Sequence, residues 1–267
     1  LKGEKCPVIY LLHGYSGNEK SWLEFRPDLP QIADRDGIIF VCPDGGFDNW
    51  YWDSPIVKES RYETFVSQEL INYVDKNFAT LPDRSKRAIT GLSMGGHGAM
   101  WNAIRHQDVF GAVGTTSGGM DIRPFPGSWG MKKYLGERDE NLDVWNNHTV
   151  INQLDRLKDG DVAIIIDCGV DDFFFGVNKN CFCTEVFKSF RNYHCVRKVD
   201  FGFINSLFTN NAECARIGSA VSGTNSCGYS GKRFCRVIGK GRSTFQYNGK
   251  SSVFRVGENI PAPKRSF

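Results

Sequence analysis

The apolar residues of this chain fall into short unbroken runs separated by stretches with a helical period. Val8-Ile-Tyr-Leu-Leu12, Ile38-Ile-Phe-Val-Cys42, Arg87-Ala-Ile-Thr90, Gly111–Thr115 and Val162-Ala-Ile-Ile-Ile166 read as strands. Runs of this kind mark strands buried on both faces. Tyr62, Val66, Leu70 and Tyr73 recur at helical spacing through Arg61–Phe78, and Gly96–His106 and Val144–Leu157 read as further helices. Strands alternating with helices predict an α/β domain with a mostly parallel sheet flanked by helices. No internal repeat is present.

Beyond about Asn180 this grammar stops, and Ser, Gly, Asn, Lys and Arg dominate. The net charge of +3 conceals a break at the same place: residues 181–267 hold 14 Lys+Arg against 4 Asp+Glu. Cys181, Cys183, Cys195, Cys214, Cys227 and Cys235 also crowd there, against Cys6, Cys42 and Cys168 before it. The expected organisation is therefore a domain over 1–180 and a basic, Cys-rich tail over 181–267. The tail lacks paired C-x-x-C spacing, which speaks against zinc, and its basic residues are scattered, which speaks against nucleic acid. Disulfides remain open for a secreted chain. No apolar run is long enough to cross a membrane. The chain opens on Leu1 and reaches a strand almost at once, so further residues are expected to precede it, and the compartment stays open.

Gly91-Leu-Ser-Met-Gly95 is the centre of the candidate chemistry. A G-x-S-x-G string between a strand and a helix lifts a serine Oγ clear of the sheet, which makes Ser93 the candidate nucleophile. Acyl transfer also needs amide donors for an oxyanion. The backbone N–H of Met94, at the helix start, is one candidate, and that of Tyr15, in His13-Gly14-Tyr15 after the first strand, is the other. His13 itself reads as a loop-holding imidazole. The acid that orients a catalytic imidazole should follow a late strand, which points to Asp171 or Asp172; Asp167, nearer the strand, reads as structural. Trp50 and Trp52 follow a strand end, where α/β proteins bind ligands, and are candidates for substrate contact.

With these strings in place the chain resembles the putative-esterase branch of the α/β-hydrolases, which includes feruloyl and acetylxylan esterases, S-formylglutathione hydrolases and the antigen 85 acyltransferases. The resemblance rests on Tyr10-Leu-Leu-His-Gly14, Pro43-Asp-Gly-Gly46, Trp50-Tyr-Trp-Asp53, Gly91–Ala99, Phe110-Gly111, Ser117-Gly-Gly119 and Asp167–Phe173, covering about residues 5–178. It implies an α/β-hydrolase fold with early strands lying before Leu1, and it selects Asp172 as the acid. The implied function is serine carboxylester hydrolysis through an acyl-enzyme, on acetyl or feruloyl esters of carbohydrates. That chemistry needs no metal or organic cofactor. A thioesterase like S-formylglutathione hydrolase is the alternative within the family.

The resemblance breaks at the catalytic histidine. The family places it about 30 residues after the acid, where this chain reads Asp200-Phe-Gly-Phe-Ile204. His194 is the only histidine after Asp172, and by position it matches a non-catalytic one; it is nonetheless the base the chain offers. His97, His106 and His148 match positions outside the triad or lie in helices. Two further readings follow: an inactive fragment, or a binding protein without the triad histidine. The coincident loss of match, gain of cysteine, swing of charge and loss of periodicity lead us to expect a tail translated out of frame after about Asn180. Resequencing the gene across codons 175–205 tests this, and an intact frame with a tail shared by related genes overturns it.

Overall fold

The computed structural model describes residues 5–158, 160–169 and 171–182, together with the backbone of three later strands. Five parallel strands form the centre of the sheet: β1 (Val8–Leu12), β2 (Ile39–Cys42), β3 (Arg87–Leu92), β4 (Ala112–Thr116) and β5 (Ala163–Asp167). β6 (Tyr193–Val196) pairs with β5, while β7 (Arg236–Lys240) and β8 (Ser252–Val256) continue beyond β2. The full order is β6-β5-β4-β3-β1-β2-β7-β8, every pair parallel.

The unbroken apolar runs are explained by two cores. Val8, Tyr10 and Leu12 of β1 enter one cluster, and Ile9 and Leu11 enter the other. In β2, Ile39 and Val41 face the first, Phe40 and Cys42 the second. Successive side chains of a strand point to opposite faces, so both parities must be apolar when both faces are covered. The second face is covered by α1 (Ser21–Phe25) and α2 (Leu29–Asp36), through Trp22, Leu29, Ile32 and Ala33. The indole N–H of Trp22 donates to the Leu12 carbonyl at 2.9 Å and ties α1 to the end of β1.

On the first face a helical run passes from α3 (Tyr62–Thr64) through a π turn at Phe65–Glu69 into α4 (Leu70–Asn77). The central helix α5 (Met94–Arg105) follows β3 and is buried along nearly its whole length. Two shorter helices, α6 (Met131–Leu135) and α7 (Leu142–Asn147), and a final α8 (Phe175–Phe182) complete the described part.

The helix expected over Val144–Leu157 is instead broken. α7 stops at Asn147, Thr149 is extended, and a 3-10 segment runs over Val150–Arg156. Side chains take over the last carbonyls: Thr149 Oγ1 donates to Trp145 and the His148 ring to Val144, both at 2.7 Å. Such local bonds compete with the next helical turn. Among the described residues no helix is long and apolar enough to cross a membrane.

Candidate active site

Because every strand is parallel, all the carboxyl ends open on one edge, where ligands bind in open α/β sheets. β3 is central in that edge, flanked by β4 and β5 on one side and by β1 and β2 on the other. Leu92, Thr116 and Asp167 share one rung of the sheet, and Ser93 is the first residue past it. Ser93 has φ 54 and ψ −115, a backbone conformation that costs a non-glycine residue about 1–3 kcal/mol. Two hydrogen bonds hold it there. Its N–H donates to the Thr116 carbonyl at 2.9 Å, and its carbonyl accepts from His97 N–H at 3.0 Å. The turn is possible only because its neighbours lack side chains. A Cβ at Gly95 would overlap the Leu12 and His13 carbonyl oxygens, and one at Gly91 would overlap the Gly95 backbone.

The loop after β1 runs beside this turn. A Cβ placed on Gly14 would lie 3.6 Å from the Ser93 Cβ, so the peptide leading into Tyr15 passes alongside the serine. Among the described residues the Tyr15 amide donates to no protein acceptor, while Met94 supplies the first amide of α5. The loop is held by His13. Its Nε2 accepts the Gly45 N–H at 2.8 Å and its Nδ1 donates to the Gly14 carbonyl at 2.8 Å. Burial holds its pKa below 6.5, outweighing the opposing pull of the Gly14 carbonyl and Asp44. The imidazole is thus a neutral clamp between the β1 and β2 loops.

Asp172 lies in the turn between β5 and α8. It is half-buried, its Oδ1 accepts the Phe174 N–H at 2.7 Å and its carbonyl accepts the Phe175 N–H at 2.9 Å. One carboxylate oxygen is therefore fixed. Asp171 is exposed, and Asp167 is a buried strand end whose carbonyl accepts from Ser117 N–H at 2.7 Å.

The remaining described histidines have their rings engaged. His97 Nδ1 donates to Gly119 at 2.8 Å and its Nε2 accepts the Trp52 indole N–H at 3.1 Å; burial pushes its pKa down to about 4. His106 meets Glu63 at 2.9 Å, and His148 holds the end of α7. His194 lies in β6, and its side chain is outside the described residues. Its backbone is in register with Ile165, Gly114 and Thr90. Ser93 is three residues further along β3 than Thr90, so the His194 backbone sits roughly 10 Å short of the edge at about 3.3 Å per residue.

Trp50 and Trp52 correct an expectation. They are 1% and 0% exposed, stacked on one another at 5.7 Å, and both ring edges meet His97. Indoles this buried have no face to offer a substrate; they are core. Two solvent-facing aromatics in the loops at the carboxyl edge were missed from sequence: Phe173 at 61% and Phe47 at 57%. Phe47 packs its ring against Tyr15 at 5.0 Å, and Phe173 against Trp129 at 5.3 Å. Among the described residues no cluster of His, Cys, Asp and Glu could hold a metal ion. Cys42 and Cys168 are free thiols, both buried.

A parallel sheet flanked by helices, with a strained serine at the strand–helix turn of its central strand, is the architecture of the α/β-hydrolase esterases. A family described as "Putative esterase" matches residues 2–198, and the chain belongs to that family. It is 35% identical over 126 residues to Esterase Rv1288 of Mycobacterium tuberculosis, covering 45% of this chain and 27% of that protein. The chain thus spans about a quarter of that relative's length. An acetyl esterase of Caldicellulosiruptor saccharolyticus is 26% identical over 191 residues, covering 67% of this chain and 71% of the relative. Among solved structures, one titled ferulic acid esterase aligns with a TM-score of 0.56 at 26% identity, covering 81% of this chain and 88% of its own.

Proposed function

We propose that the chain is a serine carboxylester hydrolase working through an acyl-enzyme on Ser93. The observation that carries this reading is the strained Ser93 backbone, held by hydrogen bonds at both ends and set at the head of α5. Backbone strain of this kind persists only where the surroundings enforce it, and it clusters at reacting residues. In the proposed reaction Ser93 Oγ attacks the ester carbonyl and gives its proton to a histidine base. The tetrahedral oxyanion is held by the Met94 and Tyr15 amides, the alcohol leaves with the proton, and water then releases the acid. Asp172, with one oxygen fixed by the Phe174 amide, orients the imidazole.

The substrate reading is an acetyl or feruloyl ester of a carbohydrate, supported by family membership, by the acetyl esterase and ferulic acid esterase likenesses, and by the solvent-facing aromatics at the edge.

A second reading has one observation behind it. The rings of His13, His97, His106 and His148 are all committed elsewhere, and the His194 backbone stops short of the edge. On that reading the chain retains the serine turn and lacks the base. Hydrolysis of p-nitrophenyl acetate by the chain, beside Ser93→Ala, separates the two. Turnover that disappears in Ser93→Ala supports the esterase; folded protein without turnover supports the second reading.

A further inference from the structure

The sheet order sets two aromatic groups on either side of Ser93. Tyr15 and Phe47 rise from the loops after β1 and β2, and Trp129 and Phe173 from those after β4 and β5. The second group is built more firmly. Phe173 directly follows Asp172, and its ring lies nearly parallel to that of Trp129, at 25° and 5.3 Å. Phe174 backs both, at 4.4 Å from Phe173 and 5.2 Å from Trp129, and Phe125 closes on Trp129 at 5.6 Å.

Trp129 is fixed from behind as well. Its carbonyl accepts the buried Trp50 indole N–H at 3.1 Å, and its backbone has φ 48. Trp50 in turn meets the ring of His97, whose amide bonds to Ser93. The pair is thereby held in a fixed relation to the serine, while Phe173 keeps 61% of its surface in water. Leaving a phenyl ring exposed forgoes about 1.5–3 kcal/mol of burial. A rigid stacked aromatic pair that leaves Phe173 in water, at the carboxyl edge of a parallel sheet, is what a planar ligand ring stacks on.

We propose that Phe173 and Trp129 form a binding shelf for a planar aromatic ring carried by the ester substrate, with Phe173 setting the preference for it. This rests on Ser93 marking the reacting centre. The test is equilibrium binding to the Ser93→Ala chain, measured by calorimetry, so that neither turnover nor a catalytic base is required. Methyl cinnamate is the planar probe, methyl butanoate the aliphatic one and xylobiose the sugar.

Ser93→Ala is expected to bind methyl cinnamate in preference to both other probes. Adding Phe173→Ala should weaken that binding about tenfold, the size of one aromatic contact. Phe173→Leu, which keeps apolar bulk without a flat ring, should weaken it nearly as much. Phe173 is exposed, so neither substitution opens the core, and a melting curve confirms folding. Cinnamate binding that is absent, or equal with Phe, Leu and Ala at position 173, overturns the shelf, as does preference for xylobiose. Ring binding without p-nitrophenyl acetate turnover in the parent chain sinks the esterase reading and leaves the shelf standing. Turnover without ring binding does the reverse.

Discussion

Ser93 hangs from Thr116: its N–H reaches the Thr116 carbonyl at 2.9 Å, one residue beyond the last paired rung of β3 and β4. The sheet's hydrogen bonding thus continues into the turn while the serine φ has already become positive. Glycine adopts that backbone without penalty. Ser93→Gly is therefore expected to raise stability by about 1 kcal/mol while abolishing ester hydrolysis. Urea midpoints and a p-nitrophenyl acetate assay read both. A variant less stable than the parent would show that the turn is unstrained.

Gly95 should tolerate no side chain. A Cβ there meets two carbonyl oxygens of the rigid β1 end, which cannot move without shifting Trp22 and Tyr51, bonded to those same oxygens. Gly95→Ala is expected to cost about 3 kcal/mol or more, as overpacking does, and to lower turnover at least a hundredfold by displacing Ser93. Circular-dichroism melts and kcat on the folded fraction check this.

Glu63 joins three partners under the C-terminal end of α5. It accepts from Arg105 at 2.7 Å and from Trp101 at 2.8 Å, and meets His106 at 2.9 Å. Burial raises its pKa, but the His106 and Arg105 hydrogen bonds and the Arg105 charge outweigh burial and hold it at about 2. Glu63→Gln removes the charge that pairs with Arg105 and should destabilise by about 3 kcal/mol. Equal urea midpoints for variant and parent would contradict this.

Stability should fall in two stages on acidification. His97 has an ordinary value of 6.5 and a folded value of about 4, set by burial. Its depressed pKa means that the unfolded chain binds the proton first. The associated stability, on the order of 3 kcal/mol, is complete above pH 6.5 and lost as pH falls toward 4. His13 and His148, also lowered by burial, act in the same direction. Glu63 contributes above pH 4.5, and that contribution goes as pH falls toward 2. Urea midpoints at pH 7.5, 5.5 and 4 should therefore decline in order; a flat series would show these imidazoles to be hydrated.

Most of the sheet was legible because burial on both faces leaves unbroken apolar runs, as in Val8–Leu12, whose limits the structure reproduces. The turn at Ser93 was legible because the glycines that its close contacts require fall in one short string between a strand and a helix. α2 was missed, although Pro30 in its first turn and the left-handed Gly37 after its end are ordinary start and stop signals. The break at Thr149 left no mark in the apolar period, since it is made by side-chain hydrogen bonds. Trp50 and Trp52 were misjudged because their burial depends on His97, Trp129 and His148, which lie far along the chain. For the same reason the Trp129–Phe173 pair, which joins two separate loops, could not be seen in the sequence.

Covalent trapping tests whether Ser93 is the nucleophile. The chain and its Ser93→Ala variant would be treated with a fluorophosphonate, digested and mapped by peptide mass. One adduct is expected, on the peptide containing Ser93, and none in the variant. Folded protein that takes up no label, or takes it up at another residue, would contradict it.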